Sequence, residues 1–135
     1  MLRVVVDTNV LVSALLNHGK PAELLARLIK EHQIILTNLI IDEFYEVMAE
    51  ERFRINDKDT QNFLSNILKR SKLVKPRSRY EVVLKDSDDN MIVNAAYKSE
   101  ANFIVTGDKH LLNLKAFKRT EIVNVADMLE ILKNY

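Results

Sequence analysis

Val4-Val5-Val6-Asp7-Thr8-Asn9-Val10 is the stretch on which the fold turns. Three consecutive β-branched residues predict a short strand buried on both faces, because a half-exposed strand would alternate apolar with polar side chains. Asp7 closes the run, and Asp7, Thr8 or Asn9 can cap a helix running through Val10, Leu11 and Leu15. Working outward, the same strand-then-helix grammar recurs. After the punctuation of Gly19 and Pro21, Ala22 to Lys30 carries Leu24, Leu25, Leu28 and Ile29 on one helical face. Ile34-Ile35-Leu36 predicts a second strand, followed by Asn38 as a cap and a helix through Ile40, Phe44, Val47 and Met48 to about Glu50. Asn56 to Arg70 predicts another helix, and Lys69 to Arg79 an irregular segment broken at Pro76. Asp86-Ser87-Asp88-Asp89 opens a helix bearing Met91, Ile92, Ala95 and Ala96. Phe103 to Thr106 predicts a third strand ended by Gly107-Asp108, and Glu121-Ile122-Val123 a fourth, before a last helix with Met128, Leu129 and Leu132. Alternating strands and helices predict an α/β protein, a parallel sheet covered on both faces, with residues 1–135 as a single domain.

Composition narrows the chemistry. The 135 residues are 47% hydrophobic and 29% charged, with no linker, repeat or biased tract. Gly19 and Gly107 are the only glycines, so a Walker A loop, a dinucleotide-binding glycine turn and a nucleophile elbow are all excluded. No cysteine is present, which removes disulfides, thiolate zinc sites and cysteine nucleophiles. No run reaches the roughly 18 apolar residues of a membrane span, and the first residues lack the pattern of a secretory signal. A cytoplasmic protein is the expectation.

The acids are placed suggestively. In open α/β sheets the functional crevice lies beyond the carboxyl ends of the strands. Asp7 and Asp108 stand at two such ends, Asp89 in the first turn of the helix before the Asp108 strand, and Glu43 early in the helix after the second strand. Each has an ordinary alternative. Asp7 and Asp108 can be helix caps, Asp86, Asp88 and Asp89 can simply face a helix dipole, and Glu43 can belong to a solvated stripe with Glu46 and Glu50. If the four converge, however, two carboxylates at ~5 Å repel by about 3 kcal/mol at an effective dielectric near 20. They must then protonate in part or hold a cation. An all-oxygen donor set suits Mg²⁺ or Mn²⁺, ions that activate water and neutralise phosphoryl oxygens.

V-V-V-D-T-N-V at 4–10, the acid of I-D-E-F-Y-E-V at 41–47, D-S-D-D-N at 86–90 and I-V-T-G-D-K at 104–109 together resemble a PIN-domain nuclease. The likeness covers essentially the whole chain and is strongest to the VapC-like toxin components of prokaryotic toxin–antitoxin pairs. It implies a three-layer α/β/α sandwich around a central parallel sheet. It implies catalytic acids Asp7, Glu43, Asp89 and Asp108, with Asp7, Asp89 and Asp108 as ligands of Mg²⁺ or Mn²⁺. Asn9 and Thr106 match positions that support those acids by hydrogen bonds. Asp88 adjoins Asp89, but the Ile92 and Ala96 register favours Asp89. The activity implied is endoribonuclease cleavage leaving a 5′-phosphate and a 3′-hydroxyl. The partners implied are an RNA substrate, a cognate antitoxin and a second copy in a homodimer.

Lys69, Arg70, Lys72, Lys75, Arg77 and Arg79 form a basic stretch without an intervening acid. It is either a solvated loop or a phosphate-tracking edge, with Lys75, Arg77 and Arg79 as candidate nucleic-acid contacts. His18, His32 and His110 share no metal-ligand spacing and are expected in surface or capping roles. Two rival classes place an early aspartate similarly. A haloacid-dehalogenase-type phosphatase needs a second acid where Asn9 stands, and a phosphorelay receiver needs an acidic pair where Asp7 stands alone. A PIN scaffold that binds RNA without cutting it is the third alternative.

Overall fold

The structure is a computed structural model that describes residues 1–52, 54–76 and 87–135. The valine run forms β1 (Arg3–Val6), whose Val4, Val5 and Val6 are fully buried. It leads into α1 (Thr8–Asn17), α2 (Gly19–Glu31) and β2 (Gln33–Leu36). Next come α3 (Asn38–Glu50), α4 (Asp57–Leu68) and β3 (Ser71–Leu73). The chain continues with α5 (Ser87–Ser99), β4 (Phe103–Val105), α6 (Lys109–Leu114), β5 (Ala116–Phe117), β6 (Thr120–Val123) and α7 (Val125–Leu132). The six strands form one sheet in the order β3-β2-β1-β4-β6-β5, parallel throughout except for β5 against β6.

This order positions the site. The chain moves outward from β1 through β2 to β3, then returns past β1 to β4 on its other side. Right-handed crossovers therefore put α1 to α4 on one face and α5 on the other, giving three layers. The strand order reverses between β1 and β4, and the loops leaving those two strands diverge to opposite faces and open a crevice at their carboxyl ends. The core is continuous across the layers, with Leu11, Leu24, Leu28, Phe44, Leu64, Ile104 and Met128 fully buried.

The expected α/β/α sandwich around a central parallel sheet is observed, with the antiparallel β5 added at one edge, and the local differences have physical reasons. The basic segment expected to be irregular contains β3, an edge strand. Its Lys72 and Leu73 are exposed, so it lacks the apolar run that marks a central strand. The two-residue β5 likewise falls outside the sequence-based expectation, being a hairpin return with a single half-buried phenylalanine. Helix α2 begins before Ala22, because Pro21 occupies the first turn, where no backbone N–H is needed. Thr37, rather than Asn38, caps α3, its Oγ1 accepting from the Ile40 N–H at 3.1 Å. Among the described residues no helix is long and apolar enough to cross a membrane.

Candidate active site

The crevice is built from the end of β1. Asp7 is 5% exposed and caps α1, with Oδ1 accepting from the Thr8 N–H at 2.7 Å. Its Oδ2 accepts from Thr106 Oγ1 at 2.7 Å and from Asn9 Nδ2 at 3.1 Å. Burial holds the Asp7 carboxyl above the usual carboxylate range, the nearby Asp108 charge adds to this, and the hydrogen bonds from Thr106, Thr8 and Asn9 work against it.

The end of β4 completes a lattice of hydrogen bonds. Thr106 is fully buried, and its single hydroxyl proton goes to Asp7. The same oxygen accepts from the Asp108 N–H at 3.0 Å and from Asn9 Nδ2 at 3.4 Å. Asn9 Oδ1 accepts from the Gly107 N–H at 2.8 Å. A Cβ at Gly107 would stand 3.3 Å from that same Asn9 oxygen, so the approach of the two loops is tight. Asn9 and Thr106 both bond Asp7. Asp108 in turn caps α6, its Oδ1 accepting from the His110 N–H at 2.9 Å. The cap alternatives for Asp7 and Asp108 are therefore true, but they do not compete with a site role. The same carboxylates cap their helices and line the crevice.

The remaining acids arrive from α3 and α5. Glu43, Glu46, Asp88 and Asp89 line one cavity of about 660 Å³ together with Asp7 and Asp108. No lysine or arginine among the described residues lines it. Glu43 is pushed up to about 7, first by burial, then by its hydrogen bond to Asp88 and the Asp88 charge, with Asp7 contributing and the Thr8 hydroxyl opposing. Asp89 is 5% exposed and Asp88 half-buried, and both line the cavity. The structure thus brings together all four acids singled out from the sequence. It adds Asp88 as the hydrogen-bond partner of Glu43, Glu46 on the same α3 ridge, and the buried Thr8, which also bonds the Ile40 carbonyl at 3.3 Å. In the sequence Thr8 stands as a possible helix cap, and Asp88 as a helix-dipole acid beside Asp89. Their partnership with Glu43 is a tertiary fact.

The basic candidates lie elsewhere. Lys75 is exposed and does not line the acidic cavity; its carbonyl accepts from Lys98 Nζ at 2.7 Å. Arg77 and Arg79 lie outside the described residues. None of the three histidines lines the cavity, and the half-buried His32 accepts from the Leu2 N–H through Nδ1 at 3.0 Å.

Among the described residues no three acids or histidines close into a group that could by itself hold a metal ion. Instead Asp7 leans on Thr8, Asn9 and Thr106, Asp108 on the His110 N–H, and Glu43 on Asp88. Even so, the donor set fits a hard divalent cation. Six carboxylates share one cavity, all its charged donors are oxygens, and burial plus mutual repulsion already drive Asp7 and Glu43 toward protonation.

A family model described as a PIN domain matches residues 3–110. An uncharacterised protein of Methanocaldococcus jannaschii is 33% identical over 125 aligned residues, which span 84% of this chain and 76% of that protein. Among solved structures, the crystal structure of VapBC2 from Rickettsia felis bound to a DNA fragment from their promoter superposes with a TM-score of 0.67. The sequence identity is 18%, and the match covers 91% of this chain and 98% of that one. A crystal structure of a Pyrobaculum aerophilum protein superposes with a TM-score of 0.64 at 20% identity, covering 99% of this chain and 91% of that one. At these identities the two structures speak to the fold alone.

Proposed function

The chain belongs to the PIN-domain family, and from that premise we propose that it is a divalent-metal-dependent endoribonuclease, a single nuclease domain over residues 1–135. The observation that carries this reading is the convergence of six carboxylates in one cavity at the sheet's switch point. Asp7, Asp89 and Asp108 would hold Mg²⁺ or Mn²⁺. The ion, when bound, supplies charge neutralisation at the phosphate and a more acidic water. The chain's own residues do the positioning. Thr106 and Asn9 hold the Asp7 carboxylate in one orientation, so that little reorganisation is needed when a cation and a phosphate enter. Glu43 orients the attacking water, and Asp88 steadies Glu43 through their shared hydrogen bond. In-line attack then leaves a 5′-phosphate and a 3′-hydroxyl.

Asn9 argues against the phosphatase alternative. It holds Asp7 Oδ2 and the Gly107 N–H and offers no second acid. The fold neighbour from Rickettsia felis is a VapBC2 assembly, which supports a role as the toxin of a type II pair, held inactive by a cognate antitoxin; assembly as a homodimer is the further part of this proposal. The deciding experiment incubates the protein with a mixed pool of single-stranded RNA in Mg²⁺, Mn²⁺ or EDTA and maps the product ends. Internal cuts with 5′-phosphates that vanish in EDTA and in Asp7→Asn are expected. RNA that is retained but left intact with every divalent ion would make this a binding scaffold instead.

A further inference from the structure

The amino edge of the sheet carries a second cleft of about 920 Å³, larger than the acidic one and sharing no lining residue with it. Its walls include Arg3 and Asn102 at the starts of β1 and β4, Tyr97 and Lys98 in the last turns of α5, and Lys118 and Arg119 at the β5–β6 turn. Four cations, Arg3, Lys98, Lys118 and Arg119, face a single carboxylate, Glu100, among the described residues.

The cations are not a loose surface scatter. Arg3 Nε and Nη2 donate to the Glu100 carbonyl at 3.1 and 3.0 Å, which holds the guanidinium in one orientation with donors to spare. The backbone N–H of Arg3 donates to Asn102 Oδ1 at 2.8 Å, tying the two strand starts together. Lys98 Nζ donates to the Lys75 carbonyl at 2.7 Å, which ties the lysine at the end of α5 to the chain after β3. Beside the cations stands an aromatic corner. Tyr97 is 38% exposed and packs edge-to-face on Phe117, with ring centroids 6.5 Å apart, and Lys118 Nζ lies 5.9 Å from the Phe117 centroid. A braced, exposed ring next to a cluster of cations suits a ligand with one flat apolar face and one anionic group. Inorganic phosphate would use the cations and leave the ring idle.

We propose that this cleft is a second ligand site, separate from the carboxylate cavity, that takes a nucleotide unit with its phosphate on Arg3, Lys98 and Arg119 and its base on Tyr97. The unit can come from a free nucleotide or from a single-stranded RNA, and the test distinguishes them. The inference does not depend on the nuclease reading, since binding here involves neither metal nor cleavage.

The experiment titrates ¹⁵N-labelled protein in EDTA with adenosine 5′-monophosphate, with a short 5′-phosphorylated oligoadenylate, and with inorganic phosphate. Saturable shifts are expected at the amides of Tyr97, Glu100, Asn102 and Arg119, while those of Asp7 and Asp108 stay in place. Tighter binding of the oligoadenylate assigns the site to RNA, and equal binding assigns it to a free nucleotide. Lys98→Glu with Arg119→Glu, both at exposed positions, should weaken the nucleotide by about tenfold or more, the scale of one lost charge-assisted contact. In the oligoadenylate arm the same pair should flatten the logarithmic salt dependence by about 0.7, one phosphate contact's worth. Tyr97→Ala should weaken adenosine monophosphate and leave inorganic phosphate unchanged. A cleft silent to both nucleotide ligands overturns the proposal. So does inorganic phosphate binding as tightly as adenosine monophosphate.

Discussion

The two edges of one sheet carry opposite charge. Among the described residues, six acids and no lysine or arginine line the cavity at the carboxyl edge, while four cations and one acid line the cleft at the amino edge. The topology explains the asymmetry. In a parallel α/β arrangement, helices leave the carboxyl ends of strands, so their positive N-termini gather at that edge and their negative C-termini at the other. Asp7 caps α1, Asp108 caps α6, Asp88 and Asp89 occupy the first turn of α5, and Glu43 the second turn of α3. Lys98 sits in the last turn of the same α5 whose first turn carries the acids. Helix dipoles thus lower the cost of concentrating like charge at each edge.

The largest expected effect tests whether the acidic edge acts as one unit. Asp7→Asn, Asp89→Asn or Asp108→Asn should each slow RNA cleavage by about a hundredfold or more, at least about 2.7 kcal/mol in the transition state. Asp88→Asn should retain partial activity. Single-turnover assays rank the four, and a fully active Asp89→Asn beside a dead Asp88→Asn would move the ligand role to Asp88. Next in size is the response to an added counter-charge. Mg²⁺ at a hundredfold excess over its dissociation constant should stabilise the protein by about 2.7 kcal/mol in thermal melts, because only the native state assembles the acids. Asp7→Asn should lose most of that gain. Equal responses of the two proteins would break the contrast between the edges.

Thr106→Val probes the lattice beneath the charge. It deletes the 2.7 Å bond to Asp7 Oδ2 and strips the Asp108 N–H of its Thr106 acceptor at a fully buried position. A loss of about 1–3 kcal/mol by chemical denaturation is expected. A neutral substitution would mean that the Asn9–Gly107 bond and the β1–β4 ladder hold the two strand ends without help from the Thr106 hydroxyl.

The smallest effect concerns protons. Asp7 and Glu43 are both raised in the folded state, Glu43 to about 7 from an ordinary value of 4.5. Their protonated forms therefore favour the fold, a contribution complete below the unfolded values and lost as pH rises through the folded ones. In EDTA the Glu43 share should disappear between about pH 4.5 and 7. Glu43→Gln should abolish that share, which melts of the two proteins across this window would show as a flatter pH dependence for the variant. Glu43 is only half-buried, so solvent screening keeps the effect modest.

Much of this was legible in the linear sequence. A β-branched run ended by aspartate reads as a buried strand delivering a carboxylate to an edge, and Phe103-Ile104-Val105 repeats the device before Asp108. Short-range rules thus determined the central strands, the capped helices and which acids reach the carboxyl edge, because each depends on neighbours a few residues away. Tertiary structure alone decided the rest. The strand β3 hides in a basic stretch because an exposed edge imposes no apolar pattern. Asp88 meets Glu43, and Lys75 meets Lys98, across separations that no local periodicity encodes. The amino-edge cleft is assembled from the starts of strands, the end of one helix and a hairpin turn. Arg3 joins Lys98, Lys118 and Arg119 only when the sheet sets β1 beside β4, a pairing between segments about a hundred residues apart that no local rule can supply.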